Sequence, residues 1–210
     1  VLFRSEFDLE GKINGHYKIH TPGIFSAYNA TSAIALAKLL NIKDSIIKQG
    51  LKKFYVEGRC EIIKAKNYTI VIDFAHNKLS IESIINTMKQ YNPNRIITVF
   101  GCGGGIGRSL RKELGASAGK LSDLCIITTD NPQNDNIEEI NNDVKEGVIQ
   151  QNGKCKIIED RKEAIKYAMS IAKENDIILL LGKGHEKYQE IKGIKYPFNE
   201  LEIVKEYIGV

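Results

Sequence analysis

An α/β fold, with a mostly parallel sheet covered by helices on both faces, is predicted by three observations in this 210-residue sequence. From Arg59 onward, short apolar runs alternate with amphipathic stretches. Thr69–Phe74, Arg95–Phe100, Leu124–Thr128 and Ile177–Leu181 are close to continuously apolar, as strands buried on both faces are. Polar and Gly-rich clusters then follow the ends of these runs, where an open α/β sheet holds its ligands.

The first 58 residues read differently. Glu6–Leu9 and His16–His20 flank Gly11 and Gly15, the pattern of a hairpin with a loose turn. Ala27–Leu40 is rich in Ala and Leu and predicts a mostly buried helix. Lys43–Phe54 predicts a second helix, with Ile46, Ile47 and Leu51 on one face. A hairpin and two helices hardly make a core of their own, so this segment reads as the tail of a larger α+β domain. The chain begins without Met and in mid-pattern, so a fragment of a longer protein is expected.

After Arg59 the elements follow in order. Glu61–Ala65 and Thr69–Phe74 are strands, Ser80–Tyr91 a helix, Arg95–Phe100 a strand and Arg108–Leu121 a helix. Leu124–Thr128, Ile137–Ile149, Lys156–Glu159 and Arg161–Lys173 continue the strand–helix alternation up to the strand Ile177–Leu181. Tyr188–Ile191 and Ile194–Phe198, split by Lys192-Gly193, form a hairpin, and Glu200–Tyr207 closes as a helix.

Composition removes several function classes. Hydrophobic residues at 42% and charged residues at 27% describe a globular chain with a core. A net charge of +4 without a basic block argues against a nucleic-acid partner. No apolar stretch is long enough for membrane insertion, and Glu6 and Asp8 interrupt any signal-like region. Cys60, Cys102, Cys125 and Cys155 form no Cys-x-x-Cys pair, so no metal site is expected and buried thiols in a cytoplasmic setting fit them better.

Four clusters carry the chemistry: Asp73-Phe74-Ala75-His76, Gly101 through Gly107, Asp130-Asn131-Pro132-Gln133, and Gly182-Lys183-Gly184-His185-Glu186. The glycine run fails the dinucleotide spacing, because Ile106 or Arg108 stands where the last Gly is needed. It is either an anion-binding turn or simply a tight strand-to-helix turn. No Gly-x-x-x-x-Gly-Lys-Ser/Thr loop occurs, so the chain alone is expected not to turn over ATP. Asp73 suits a ribose hydroxyl and His76 a phosphate, the alternative for Asp73 being a helix-capping role. Asp130 and Asn131 could instead start the next helix as an Asx turn, and Glu186 could be a solvated turn carboxylate or the partner of a ligand ammonium.

Taken together, these strings resemble the carboxyl-terminal part of the Mur ligases, in the branch that adds the third amino acid to the cell-wall peptide stem. The likeness runs along nearly the whole chain. Gly23 to Asn29 is similar to G-x-F-N-x-x-N, Gly58-Arg59-Cys60-Glu61 to the G-R-x-E of a hinge, and Asp73 to His76 to D-Y-A-H. Phe100 to Gly104 is similar to F-G-C-G-G, Thr129 to Pro132 to T-D-N-P, and Ile158 to Arg161 to I-x-D-R. Gly182 to Gln189 is similar to G-K-G-H-E-x-Y-Q, and Pro197 to Glu200 to P-F-D-D.

The resemblance implies residues 1–58 as the end of a central ATP-binding domain and 59–210 as a Rossmann-like terminal domain. It implies an ATP-dependent ligase that activates a UDP-N-acetylmuramoyl-dipeptide carboxylate as an acyl phosphate and joins it to diaminopimelate or lysine. Asn29, Arg59, Asp73 and His76 would bind the nucleotide, and Asp130, Asn131, Gln133, Gly182 and Glu186 the incoming amino acid. ATP and Mg²⁺ would be held mainly by sequence outside this chain, with no catalytic residue within it, in a cytoplasmic monomer. Ser26, Lys78, Ile106 and Gln133 depart from the family's pattern. The last two stand where arginines are expected, which predicts weaker discrimination for diaminopimelate over lysine; the Gly-Lys-Gly-His-Glu string points the other way. Two rival readings are a diverged relative acting on another acid–amine pair and a non-catalytic nucleotide- or amino-acid-binding module.

Overall fold

Alternating apolar residues in the first segment and continuous apolar runs in the second produce two separate compact units, Val1–Val56 and Glu57–Val210. The computed structural model describes residues 3–209; residues 1, 2 and 210, at the ends of the two expected domains, lie outside these.

In the first unit, β1 (Ser5–Leu9) and β2 (Gly15–Ile19) pair antiparallel, with Phe7 opposite Tyr17. Helices α1 (Ile24–Leu39) and α2 (Asp44–Lys53) follow. Contrary to expectation, these four elements do build a small core, in which Tyr17, Ile34 and Ile47 are buried with Phe7, Leu9 and Leu51 around them. Nor is α1 mostly buried: only Ser26, Ala30 and Ile34 are fully buried, while Leu36 and Leu39 are 59% and 80% exposed. The Ala-rich sequence is apolar on every side, so it carries no periodic signal for which face is covered.

The second unit is a six-stranded sheet. Its strands are β3 (Glu61–Lys64), β4 (Thr69–Asp73), β5 (Ile96–Phe100), β6 (Leu124–Ile127), β7 (Cys155–Ile157) and β8 (Ile177–Leu181), in the order β3-β4-β8-β5-β6-β7. Only β3 is antiparallel to its neighbour. Every residue of β5 and β8 is buried, as a strand covered on both faces requires.

One face of the sheet presents Ile72, Val99, Ile126 and Leu180 to α6 (Arg161–Ile171) and α7 (Glu200–Ile208). The residues between them point the other way, the side taken by the mutually packed helices α3 (Lys78–Lys89), α4 (Arg108–Leu121) and α5 (Ile137–Gln150). A hairpin of β9 (Tyr188–Ile191) and β10 (Ile194–Pro197) precedes α7. Asn77, Asn136, Asp160 and Asn199 cap α3, α5, α6 and α7 with side-chain oxygens, fixing where each helix starts. Because β8 inserts between β4 and β5, helices leave to opposite faces from neighbouring strands, the arrangement beyond whose carboxyl ends open α/β sheets hold their ligands.

Candidate functional site at the carboxyl ends of the strands

At the end of β4, Asp73 is buried, and each of its oxygens accepts a backbone N–H. Cys60 N donates at 2.7 Å and Ala75 N at 2.8 Å. Burial pushes its carboxyl above the ordinary carboxylate value, and the two N–H groups pull less strongly the other way. The capping alternative is corrected, because Asn77 is the residue that caps α3. The carboxylate instead ties the segment bearing Arg59 to the one bearing His76. Arg59 lies over the Phe74 ring at 4.6 Å, and the His76 and His185 rings stand 4.8 and 5.1 Å from it. Arg59, His76 and His185 are all exposed, so one phenyl ring gathers a guanidinium and two imidazoles at the surface.

Close backbone approach makes this possible. A Cβ on Gly58 would collide with the backbone of His185, and one on Gly184, at φ 52°, would lie 2.6 Å from Gly58 O and 2.8 Å from Phe74 Cβ. The turn after β8 is therefore pressed onto the segment before β3, where only glycine fits.

The same turn faces the end of β6 with its other residues. Lys183, without exposed surface, donates to Asn131 Oδ1 at 2.8 Å and to Glu186 Oε2 at 3.0 Å. Asn131 Nδ2 donates to that same Glu186 oxygen at 2.9 Å, and Asn131 Oδ1 also accepts from Glu190 N at 3.0 Å. Asp130 lies 3.8 Å from Lys183 Nζ and 3.7 Å from Arg161 Nη1, facing both cations beyond hydrogen-bond distance. Gly182, at φ 110°, stands so close to Asp130 Oδ2 that a side chain there would displace the carboxylate.

Arg161 and Glu200 continue this chain of charges inward. Both are 1% exposed; Arg161 Nε and Nη2 each lie 2.9 Å from Glu200 Oε1, and Nη2 also donates to Leu181 O at 2.7 Å. Burial pushes the Glu200 carboxyl up, with Arg161 opposing.

Four of the five residues expected at the amino-acid end, Asp130, Asn131, Gly182 and Glu186, are therefore brought together. Gln133, at φ 52°, joins through its backbone, its N–H bonding to Glu190 O at 3.1 Å, while its exposed side chain lies beside Gly105. Two alternatives are corrected. Asn136, not Asp130, caps the next helix, and Glu186 is a paired carboxylate rather than a solvated one. Glu186 is for the same reason not the free negative charge expected from the sequence. Arg108 pairs with Asp143 at 2.9 Å in a 74% exposed position.

The glycine run forms the strand-to-helix turn. Two of its N–H groups are already bonded, Gly104 N to Asn131 O at 2.8 Å and Gly105 N to Asp135 Oδ2 at 2.9 Å, which removes them from any anion. In the first unit, Asn29 is exposed on α1, and Ser26 is buried with its hydroxyl bonded to Pro22 O at 2.9 Å. Lys78 opens α3 and pairs with Glu113 at 3.1 Å. The four cysteines are free thiols; burial raises Cys102 to about 11 and Cys125 to about 12.

Sequence reasoning placed Lys183 and His185 in a strand-end cluster and Arg161 in a family string, but assigned none of the three a role. A lysine between two glycines directly after a buried strand was a usable signal for the first. The Arg161–Glu200 pairing spans 39 residues and has no local signal.

Among the described residues, no group of three or more His, Cys, Asp or Glu side chains is arranged to hold a metal ion. The strand-end carboxylates do not fit Mg²⁺, since Asp73 is occupied by N–H groups, Glu186 by an ammonium, and Asp130 faces two buried cations. No described helix is long and apolar enough to cross a membrane.

Fold and rim together define an open α/β domain whose strand ends carry an exposed cationic–aromatic cluster and a buried carboxylate–amide cluster. The domain family described as Mur ligase, glutamate ligase domain, matches residues 58–184, and the chain belongs to that family. It is 42% identical over 187 residues to the UDP-N-acetylmuramoyl-L-alanyl-D-glutamate–2,6-diaminopimelate ligase of Aquifex aeolicus, covering 89% of this chain and 39% of that protein. It is 40% identical over 209 residues to ligase 1 of that name from Clostridium acetobutylicum, covering 97% and 43%. A solved structure of a ligase of the same name superposes with a TM-score of 0.71 at 29% identity, over 97% of this chain and 42% of that one. The chain thus spans about two fifths of the length of the relatives it matches.

Proposed function

We propose that this chain is the terminal part of an ATP-dependent ligase that joins an amino acid with a distal ammonium to UDP-N-acetylmuramoyl-dipeptide. One observation carries the reading. The turn Gly182 to Glu186 lies against Gly58 and Phe74 through Gly184 and His185, and bonds Asn131 through Lys183 and Glu186. A single turn thereby couples an anion-suited end to an amino-acid-suited end. That coupling is what an acyl-phosphate mechanism needs, because the amine must attack beside the departing phosphate.

In this reading Arg59 and His76 face nucleotide phosphates, and Asp73 holds their two segments in place as well as facing the ribose. Asn29 meets the adenine from the end of a central domain formed with residues 1–58. Asp130, Asn131, Gly182 and Glu186 receive the amino acid, with Gln133 at the margin. Diaminopimelate, named for the relatives, is the acceptor proposed here. Phosphate activation and Mg²⁺ belong to sequence beyond this chain, no step being routed through its own carboxylates, and the setting is cytoplasmic.

The test is a titration of the 210-residue chain with meso-diaminopimelate, followed by amide and side-chain NMR. Shifts are expected at residues 130, 131, 182 and 186, with affinity reduced about tenfold or more in Glu186→Gln, because a charge-assisted bond contributes roughly 1.5–3 kcal/mol. Shifts elsewhere, or an unchanged affinity in that variant, would reject the assignment. The chain alone is expected to release no phosphate from ATP above background; release would overturn the placement of the phosphate-activating groups outside it.

A further inference from the structure

The cluster at the ends of β6 and β8 contains a cation to which neither the sequence pattern nor the proposed function gives a task. Lys183 has no exposed surface, and its ammonium is shared among Asn131 Oδ1 at 2.8 Å, Glu186 Oε2 at 3.0 Å and Asp130 Oδ1 at 3.8 Å. Asp130 and Glu186 bring two negative charges and Lys183 one positive. Arg161 stands behind Asp130, but its charge is matched by Glu200 at 2.9 Å. The subsite therefore carries one net negative charge, where without Lys183 it would carry two.

We propose that Lys183 is a specificity-determining residue of this subsite. It sets the subsite to admit an amino acid whose distal end carries a carboxylate as well as an ammonium, against one whose distal end is an ammonium alone. The inference rests on reading Asp130, Asn131 and Glu186 as the amino-acid cluster at the strand ends. A distal ammonium is attracted to Glu186 in either case. A distal carboxylate must enter within a few ångströms of the same groups. There, half-buried charges are poorly screened, and two uncompensated carboxylates would repel it. Lys183 halves the net charge, which weakens repulsion of the carboxylate and attraction of an ammonium alike, so an amino acid carrying both charges at its distal end gains on one carrying the ammonium alone.

Other cations near these strand ends are committed elsewhere. Arg108 pairs with Asp143, Arg111 is buried between Asp135 at 2.6 Å and Asp143 at 3.3 Å, and Ile106 and Gln133 carry no charge. Lys183 acts through its neighbours, since its ammonium is enclosed by them. Its effect is thus on the ratio of two affinities rather than on a contact of its own.

The experiment compares binding of lysine and meso-diaminopimelate to the 210-residue chain by NMR titration, in the parent, in Lys183→Met and in Lys183→Met with Glu186→Gln. In Lys183→Met the ratio of the two affinities is expected to move toward lysine by about fivefold or more. In the double variant, which restores one net negative charge, both affinities fall but the ratio returns to within about twofold of the parent. A ratio unmoved in Lys183→Met overturns the proposal and leaves the amino-acid site standing. A ratio that moves but does not return in the double variant makes Lys183 a structural residue only, which also overturns it. Absence of binding by either amino acid to the parent removes the site itself, and the proposal with it.

Discussion

Asp73 and Asp130 both lie at the carboxyl ends of parallel strands in one sheet, yet the fold treats them in opposite ways. Asp73 is met by two backbone N–H groups at 2.7 and 2.8 Å and becomes a clasp between neighbouring segments. Asp130 is met by two buried cations at 3.7 and 3.8 Å, neither close enough to hydrogen-bond. A carboxylate with a backbone N–H on each oxygen holds structure. One held only by surrounding charge keeps its lone pairs for something else. Position in the fold selects the rim, but local partners decide what a rim residue does.

The comparison breaks most severely at the second aspartate's support. Replacing Arg161 by Met leaves Glu200 buried without its cation, and about 3–5 kcal/mol of stability should disappear in urea unfolding. Adding Glu200→Leu should recover most of it, since a well-packed apolar pair replaces a buried ion pair at little net cost. A single variant within about 1 kcal/mol of the parent would show that the pair is not integral to the fold.

A smaller effect is expected at the first aspartate. Asp73→Ala strips the Cys60 and Ala75 N–H groups of their acceptor, for a loss of about 2–3 kcal/mol. The pH dependence sharpens the point. Burial raises the folded-state carboxyl above its ordinary 3.8, so the folded chain keeps a proton that the unfolded chain has released. Stability from this group therefore falls as pH rises from that value through the folded one. The parent's advantage over Asp73→Asn should accordingly be larger below about pH 4 than near pH 7, in urea midpoints measured at each pH. An advantage that grows with pH would mean that the N–H groups outweigh burial.

The smallest effect separates capping from clasping. Asn77→Ala removes the oxygen that accepts from Ser80 N, and about 1 kcal/mol should be lost by the same measurement. The Cys60 amide should nevertheless retain its hydrogen-exchange protection. Loss of that protection would show that cap and clasp are one unit.

Much of this was legible beforehand. The expected helix Arg108–Leu121 and strand Ile177–Leu181 coincide with α4 and β8, because amphipathic period and apolar run length are local properties. The Ala-rich helix was misjudged because a sequence apolar on all sides does not say which side is covered. Glu186 was legible as a rim residue and illegible as a paired one, since its neutralisation depends on a side chain folded back beneath the turn.

The sequence by itself determined the alternation of strands and helices and the four polar clusters that follow the strand ends. Each of these depends on residues within a few positions of one another. Only the tertiary structure decided that Lys183 meets Asn131 and that Arg161 meets Glu200. Those meetings depend on strand order: β8 enters between β4 and β5, and its following turn must cross the end of β5 to reach β6. Gly101, directly after β5, lies so close to the end of β6 that a side chain there would run into Thr128 O and Asp130. Charges far apart along the chain become neighbours through that arrangement, and no local pattern in the sequence encodes it.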